Sequence, residues 1–282
     1  MRKKMWTTII TATGVLLVSQ VGFLLFSKSE SKIESAQIHC LKKDTSDCDG
    51  TQKVFALNNT GNNKANIEPK DSSNVVFPSY KETIDSKKDG WITVNNPTSA
   101  LVLVNKQRKL PDNYIPPKLV VPNVHFSFNG KDEKKHMTQV AATALEKLFK
   151  QGDKEGVHLF AVSGYRSYKR QVSVFQGHVK ELGEQEAKKV SAIPGSSEHQ
   201  TGLSIDVSAQ SAKFLLTTDF GLTPEGKWLK ENAHKFGFII RYPKDKTKIT
   251  GYSYEPWHIR YVGIPHATYI YKHNLALEEA IK

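Results

Sequence analysis

His199, Asp206 and His258 carry the donor types of a catalytic metal centre. Such a zinc ion takes three N or O ligands from the protein and leaves one position for water, whose pKa it lowers to about 7. A carboxylate base is still useful for moving the proton on to a leaving amine, and Glu255 lies three residues before His258. On a straight strand that odd separation would put Glu255 and His258 on opposite faces. Pro256 between them argues for a bend that turns both toward one point, with Trp257 and Ile259 left to pack in the core. Other hydrolytic chemistries fit less well. Ser197 is only two residues from His199 and no G-x-S-x-G elbow is present, which argues against a Ser-His-Asp triad. The only two cysteines, Cys40 and Cys48, lie far from these segments, and no H-E-x-x-H helix occurs. Residue types and spacing alone leave open that both histidines are structural.

The elements that must position these groups can be read from periodicity. Apolar residues at Val140, Ala141, Ala144, Leu145, Leu148 and Phe149 predict a helix over about 136–150. A second helix is expected over 168–190 with Val172, Phe175, Val179 and Leu182 as its buried stripe. Thr223 and Pro224 mark the start of a third that runs to about Phe236, and 269–281 reads as a closing helix. Strands are expected at 101–104, 157–163, 203–207, 238–242 and 257–262. Helices and strands mix without a regular βαβ alternation, which predicts an α+β fold on an antiparallel sheet.

The chain has 282 residues and a formal net charge of +12. Residues 2–4 are basic, and residues 5–26 contain no charge. At about 1.5 Å per residue such a run crosses a hydrocarbon core of roughly 30 Å. The basic cluster should stay in the cytoplasm and send the rest of the chain out. Residues 1–27 are therefore expected to be a transmembrane signal anchor, or else a signal peptide. Residues 28–89, polar and balanced in charge, are expected to be a flexible stalk, and 90–282 the folded domain. An exported basic domain argues against nucleic acid as partner and favours an anionic wall. Outside the cell Cys40 and Cys48 could close a small disulfide loop.

Three segments carry a family resemblance. Ser163, Gly164, Tyr165, Arg166 and Ser167 with Gln171 form the first. Ser197, His199, Gly202 and Asp206 match the pattern S-x-H-x-x-G-x-x-x-D. Glu255 to Gly263 read E-P-W-H-x-R-Y-V-G. Together these motifs resemble those of the VanY-type D-alanyl-D-alanine carboxypeptidases, zinc peptidoglycan peptidases related to VanX-type dipeptidases, and the likeness spans roughly 95–272. The resemblance implies a Hedgehog/DD-peptidase-like zinc peptidase fold, with zinc on His199, Asp206 and His258. It implies Glu255 as the catalytic base and then acid, and Arg166 as the group that stabilises the oxyanion. It also implies that Ser197 and Gln171 hold the substrate's terminal residue. Many relatives have Ala where this chain has Ser204, which lies on the strand face of Asp206 without replacing a ligand. The expected activity is removal of the C-terminal D-Ala from peptidoglycan stem peptides by a monomer tethered to a bacterial plasma membrane, its catalytic domain outside the cytoplasm. The alternatives are L,D-carboxypeptidase action on tetrapeptide stems, an endopeptidase, or a wall-binding module without catalysis. Retention of Glu255 argues against the last.

Overall fold

The structure is a computed structural model that describes residues 75–282. The expected anchor at 1–27, most of the expected stalk, and Cys40 and Cys48 lie outside the described residues. Among the described residues no helix is long and apolar enough to cross a membrane.

In chain order the strands are β1 (Ile84–Lys88), β2 (Trp91–Val94), β3 (Arg108–Lys109), β4 (Leu119–Val120), β5 (Met137–Thr138), β6 (Phe160–Ser163), β7 (Ser204–Ser208), β8 (Phe238–Tyr242) and β9 (Glu255–Tyr261). The helices are α1 (Gln139–Lys154), α2 (Tyr168–Leu182), α3 (Glu184–Val190), α4 (Pro224–Asn232), α5 (Thr247–Thr250), α6 (Ile264–Lys272) and α7 (Leu277–Ala280). The central sheet is antiparallel, in the order β6-β7-β9-β8, so the expected α+β class holds. A smaller sheet, β1-β2-β3, contains one parallel pair.

Strand alternation sorts β7 and β9 into two faces. Ile205, Val207 and Ile259 pack with Leu145, Leu148 and Leu229 in the main core. Ser204, Asp206, His258 and Arg260 point the other way, and every one of them is buried as well. The second face of the sheet is therefore a polar interior, which must supply its own hydrogen bonds.

Four expectations change. Residues 84–88, assigned to the stalk, form β1 and pair with β2. Phe77 and Tyr80 pack against a second apolar cluster, and buried Arg108 donates to the Thr83 carbonyl and hydroxyl at 3.0 and 2.7 Å. The lysines of this stretch face solvent, so its pattern reads as polar. Residues 102–104 are buried but 101–104 are not a strand. Arg260 takes the carbonyls of Ala100 and Val102, and Arg108 that of Leu103, which replaces a ladder. The expected helix over 168–190 is two helices broken at Gly183, whose φ of 81° suits glycine. Its apolar stripe is not core: in α2 only Gln171 is fully buried, while Leu182 is 49% exposed. The closing helix is likewise two, α6 and α7, separated by Asn274 at φ 48°.

Candidate metal centre and active site

Three elements bring the donors together. His199 sits in the short 3-10 turn Glu198–Thr201. Its Nδ1 lies 2.8 Å from the Gly164 carbonyl. A carbonyl can only accept, so Nδ1 carries the proton and Nε2 keeps a free lone pair. Asp206 on β7 is the cross-strand partner of His258 on β9. His199 Nε2 is 3.4 Å from Asp206 Oδ2, and His258 Nδ1 is 2.9 Å from Asp206 Oδ1. The two imidazoles meet edge to face with centroids 4.9 Å apart. One donor atom from each of the three residues falls within a 4.8 Å cluster.

These residues fit zinc. Two nitrogens and one carboxylate oxygen are donors zinc accepts, and tetrahedral ligands at about 2.1 Å stand roughly 3.4 Å from one another. His199 Nε2 and Asp206 Oδ2 already stand 3.4 Å apart, and one donor atom of each residue lies within 4.8 Å of the others. All three donors are buried, so leaving them without a cation is costly.

Gly164 makes the His199 contact workable. A Cβ at Gly164 would stand 2.6 Å from the His136 backbone oxygen. Gly164→Ala is therefore expected to displace the Gly164 carbonyl from His199 and weaken zinc binding by about 10–100-fold. Competition with a chromophoric chelator measures this, and an unchanged affinity would remove Gly164 from the centre's support.

Glu255 reaches the same cavity despite its odd separation from His258. Ile240 pairs with Ile259 and Tyr242 with Glu255, so β9 advances four residues while β8 advances two. The surplus bulges out around Pro256, which has no N–H to give the ladder. Glu255 Oε2 thereby comes to 4.0 Å from His258 Nδ1. Burial pushes the Glu255 pKa up to about 7, against the pull of His258. Arg166 lines the same cavity. Its NH1 donates to Gln171 Oε1 at 3.0 Å, and NH2 lies 3.5 Å from Ser163 Oγ.

Gln171 differs from expectation. Its side chain is fully buried, with Oε1 taken by Arg166 and Nε2 donating to the Ala192 carbonyl at 2.7 Å. Both polar ends are committed inside the protein, so Gln171 orients Arg166 and the adjoining loop. Ser197 does line the cavity, beside Arg166, His199, Asp206, Glu255 and His258. Trp257 serves twice, packing on the core and lining the cavity. Tyr242, whose ring lies 5.0 Å from that of His258, and Tyr252 also line it. No spacing rule marks those tyrosines. Arg260 is structural, fully buried, and paired at 2.7 Å with Glu198.

The charge state of the metal-free centre makes a prediction. Burial disfavours the His258 imidazolium, but Asp206 and Glu198 outweigh burial and raise its pKa to about 9. Burial with little compensation drops His199 to about 3. Below pH 9 the ring of His258 is protonated and must lose a proton to become a ligand. Zinc binding at pH 8 should therefore release a proton from His258, and affinity should rise by about tenfold per pH unit until pH 9, then level off. Calorimetry in buffers of different ionisation enthalpy counts the proton. Affinity that is flat from pH 7 to 9 would contradict this charge state.

Comparison with known proteins agrees with this geometry. Residues 134–264 match the family model VanY, described as D-alanyl-D-alanine carboxypeptidase. The chain is 53% identical over 193 residues to YodJ of Bacillus subtilis (strain 168), covering 68% of this chain and 71% of that protein. It is similar to the solved LdcB LD-carboxypeptidase, at 50% identity and a TM-score of 0.69, covering 72% of this chain and 97% of that one. It is similar too to the vancomycin resistance D,D-pentapeptidase VanY of a VanB-type cassette, solved with Zn(II). That match has 36% identity and a TM-score of 0.53, and covers 64% of this chain and 98% of the other. The chain thus belongs to the VanY family of peptidoglycan carboxypeptidases and is a zinc metallocarboxypeptidase.

Proposed function

We propose that this protein is an L,D-carboxypeptidase that removes the terminal D-Ala from tetrapeptide stems of peptidoglycan. The observation that carries this reading is the relative likeness to LdcB and to the D,D-pentapeptidase: 50% against 36% identity, and a TM-score of 0.69 against 0.53. The D,D reading, cleavage of a pentapeptide ending in D-Ala-D-Ala, is favoured by the description of the matching family model. Both reactions release a terminal D-Ala and differ in the residue before the cut, an L-residue in the tetrapeptide and D-Ala in the pentapeptide, so the same polar groups around the scissile bond can serve both.

The geometry of the site supports the following assignment of roles. His199, Asp206 and His258 would hold zinc, which when bound would acidify water and polarise the scissile carbonyl. Glu255 takes the proton of the attacking water and returns it to the departing amine of D-Ala. Arg166, fixed by Gln171, donates to the oxygen on which negative charge develops. Ser197 supplies a hydroxyl to the substrate's terminal residue. Membrane tethering of a catalytic domain outside the cytoplasm is part of the proposal, supported by the uncharged run at residues 5–26 behind a basic cluster. Recovery of the full chain in the soluble fraction would remove that part.

The test of specificity incubates zinc-loaded protein with a tetrapeptide stem ending in one D-Ala and with the pentapeptide. Mass spectrometry follows the loss of alanine. Loss from the tetrapeptide is expected. Loss from the pentapeptide alone, stopping at the tetrapeptide, would replace this reading with the D,D one.

A further inference from the structure

Glu198 occupies a free position of the S-x-H-x-x-G-x-x-x-D pattern, yet it is 2% exposed at the centre of a buried ionic cluster. Its two oxygens do different work. Oε1 accepts from Arg241 Nε and Arg260 NH1, each at 2.7 Å. Oε2 accepts from Ser204 Oγ at 3.0 Å and lies 3.5 Å from His258 Nε2. Arg241 is clamped from its other side by Glu278 of α7, at 2.8 and 2.7 Å. Two arginines and two glutamates thus balance inside the protein, and the need for a counter-ion is met through Oε1 alone.

Oε2 has a separate partner to explain. His258 Nε2 is buried and has no hydrogen-bond partner within normal distance. A bare lone pair there would face a carboxylate oxygen across 3.5 Å, which is repulsive. An N–H there points at an acceptor and needs only a small contraction to bond it. The geometry points to Glu198 as a positioning residue that holds the His258 proton on Nε2 and so presents Nδ1 to zinc, a carboxylate–histidine–zinc arrangement in which the second carboxylate is itself fixed by two arginines. Ser204 belongs to the same device, since its hydroxyl holds the Oε2 oxygen that faces the imidazole. The inference rests on the zinc site alone and is independent of which stereochemistry the substrate has.

The test uses the full chain and reads zinc affinity by competition with a chromophoric chelator. Glu198→Gln keeps the shape and removes the charge, and is expected to weaken zinc by about 10–100-fold. Glu278→Gln loosens the same cluster without touching His258. It should lower the unfolding temperature and leave zinc affinity unchanged. Zinc affinity of wild-type strength in folded Glu198→Gln would overturn the inference. An equal loss in Glu278→Gln would also overturn it, because the effect would then belong to the cluster as a whole. The unaltered zinc-loaded protein gives an independent reading should Glu198→Gln not fold. Nitrogen-resolved imidazole spectra are expected to show His258 with a proton on Nε2 and zinc on Nδ1, and the reverse assignment would overturn the proposal.

Discussion

Glu255→Gln should lower kcat by about 10²–10⁴-fold, the range general acid–base groups contribute, while zinc stays bound with its affinity largely intact. The three donors that fit zinc are His199, Asp206 and His258, and Glu255 stands 4.0 Å from His258 Nδ1. The amide of glutamine fills the same space without a lone pair basic enough to take a proton. A pH dependence goes with this. Burial raises the Glu255 pKa to about 7 in the metal-free protein, and the base works only when deprotonated. The rate should therefore fall as pH drops through the Glu255 pKa, by about tenfold per unit below it. The positive charge of bound zinc places that limb below 7. Glu255→Gln should remove the limb from whatever activity remains. A variant with wild-type kcat would take Glu255 out of the chemistry.

The second large effect is at Arg166. Arg166→Lys keeps a positive charge and loses the planar fork. In the protein that fork is held by Gln171 Oε1 at 3.0 Å and approached by Ser163 Oγ at 3.5 Å, so a lysine ammonium would not be delivered to the same place. A group that stabilises a developing oxyanion contributes about 10²–10³-fold to kcat. A loss of that size is expected in kcat, with a smaller change in KM. Gln171→Leu should show the same kind of defect in weaker form, because Arg166 remains but loses its orientation. A change confined to KM in either variant would assign Arg166 to substrate binding instead. Burial lowers the Arg166 pKa from its ordinary value, and Asp206 opposes that. A guanidinium is not deprotonated in proteins, so Arg166 carries its charge into the reaction.

The donors of the centre were legible because three motifs resemble those of one family; residue types and spacing alone left both histidines open, since it is the long-range pairing of β7 with β9 that brings Asp206 to His258. His199, Asp206, Glu255 and His258 all line one cavity, and β8 falls at 238–242 as periodicity predicts. What periodicity missed was built from long-range polar contacts. Residues 101–104 look like a strand because they are apolar, but Arg260, far along the chain, and nearby Arg108 satisfy their carbonyls. Residues 84–88 look like linker because an edge strand of a small sheet exposes its lysines. The α2 stripe failed because that helix borders the catalytic cavity, with Val174 and His178 on its wall, and so does not lie wholly on the core. Gln171 matched a motif, but only its surroundings show that both polar ends are spent on Arg166 and Ala192. Glu198 could have been suspected only from an acid set directly beside His199 in a chain with arginines at 241 and 260.

The most direct test of the central claim is a zinc titration of the metal-stripped full chain while release of D-Ala from the tetrapeptide stem is followed. Release should be absent at the start, rise linearly, and stop rising at one equivalent of zinc. Full activity in the stripped protein, or a chain that binds one zinc and releases alanine from neither the tetrapeptide nor the pentapeptide, would contradict it.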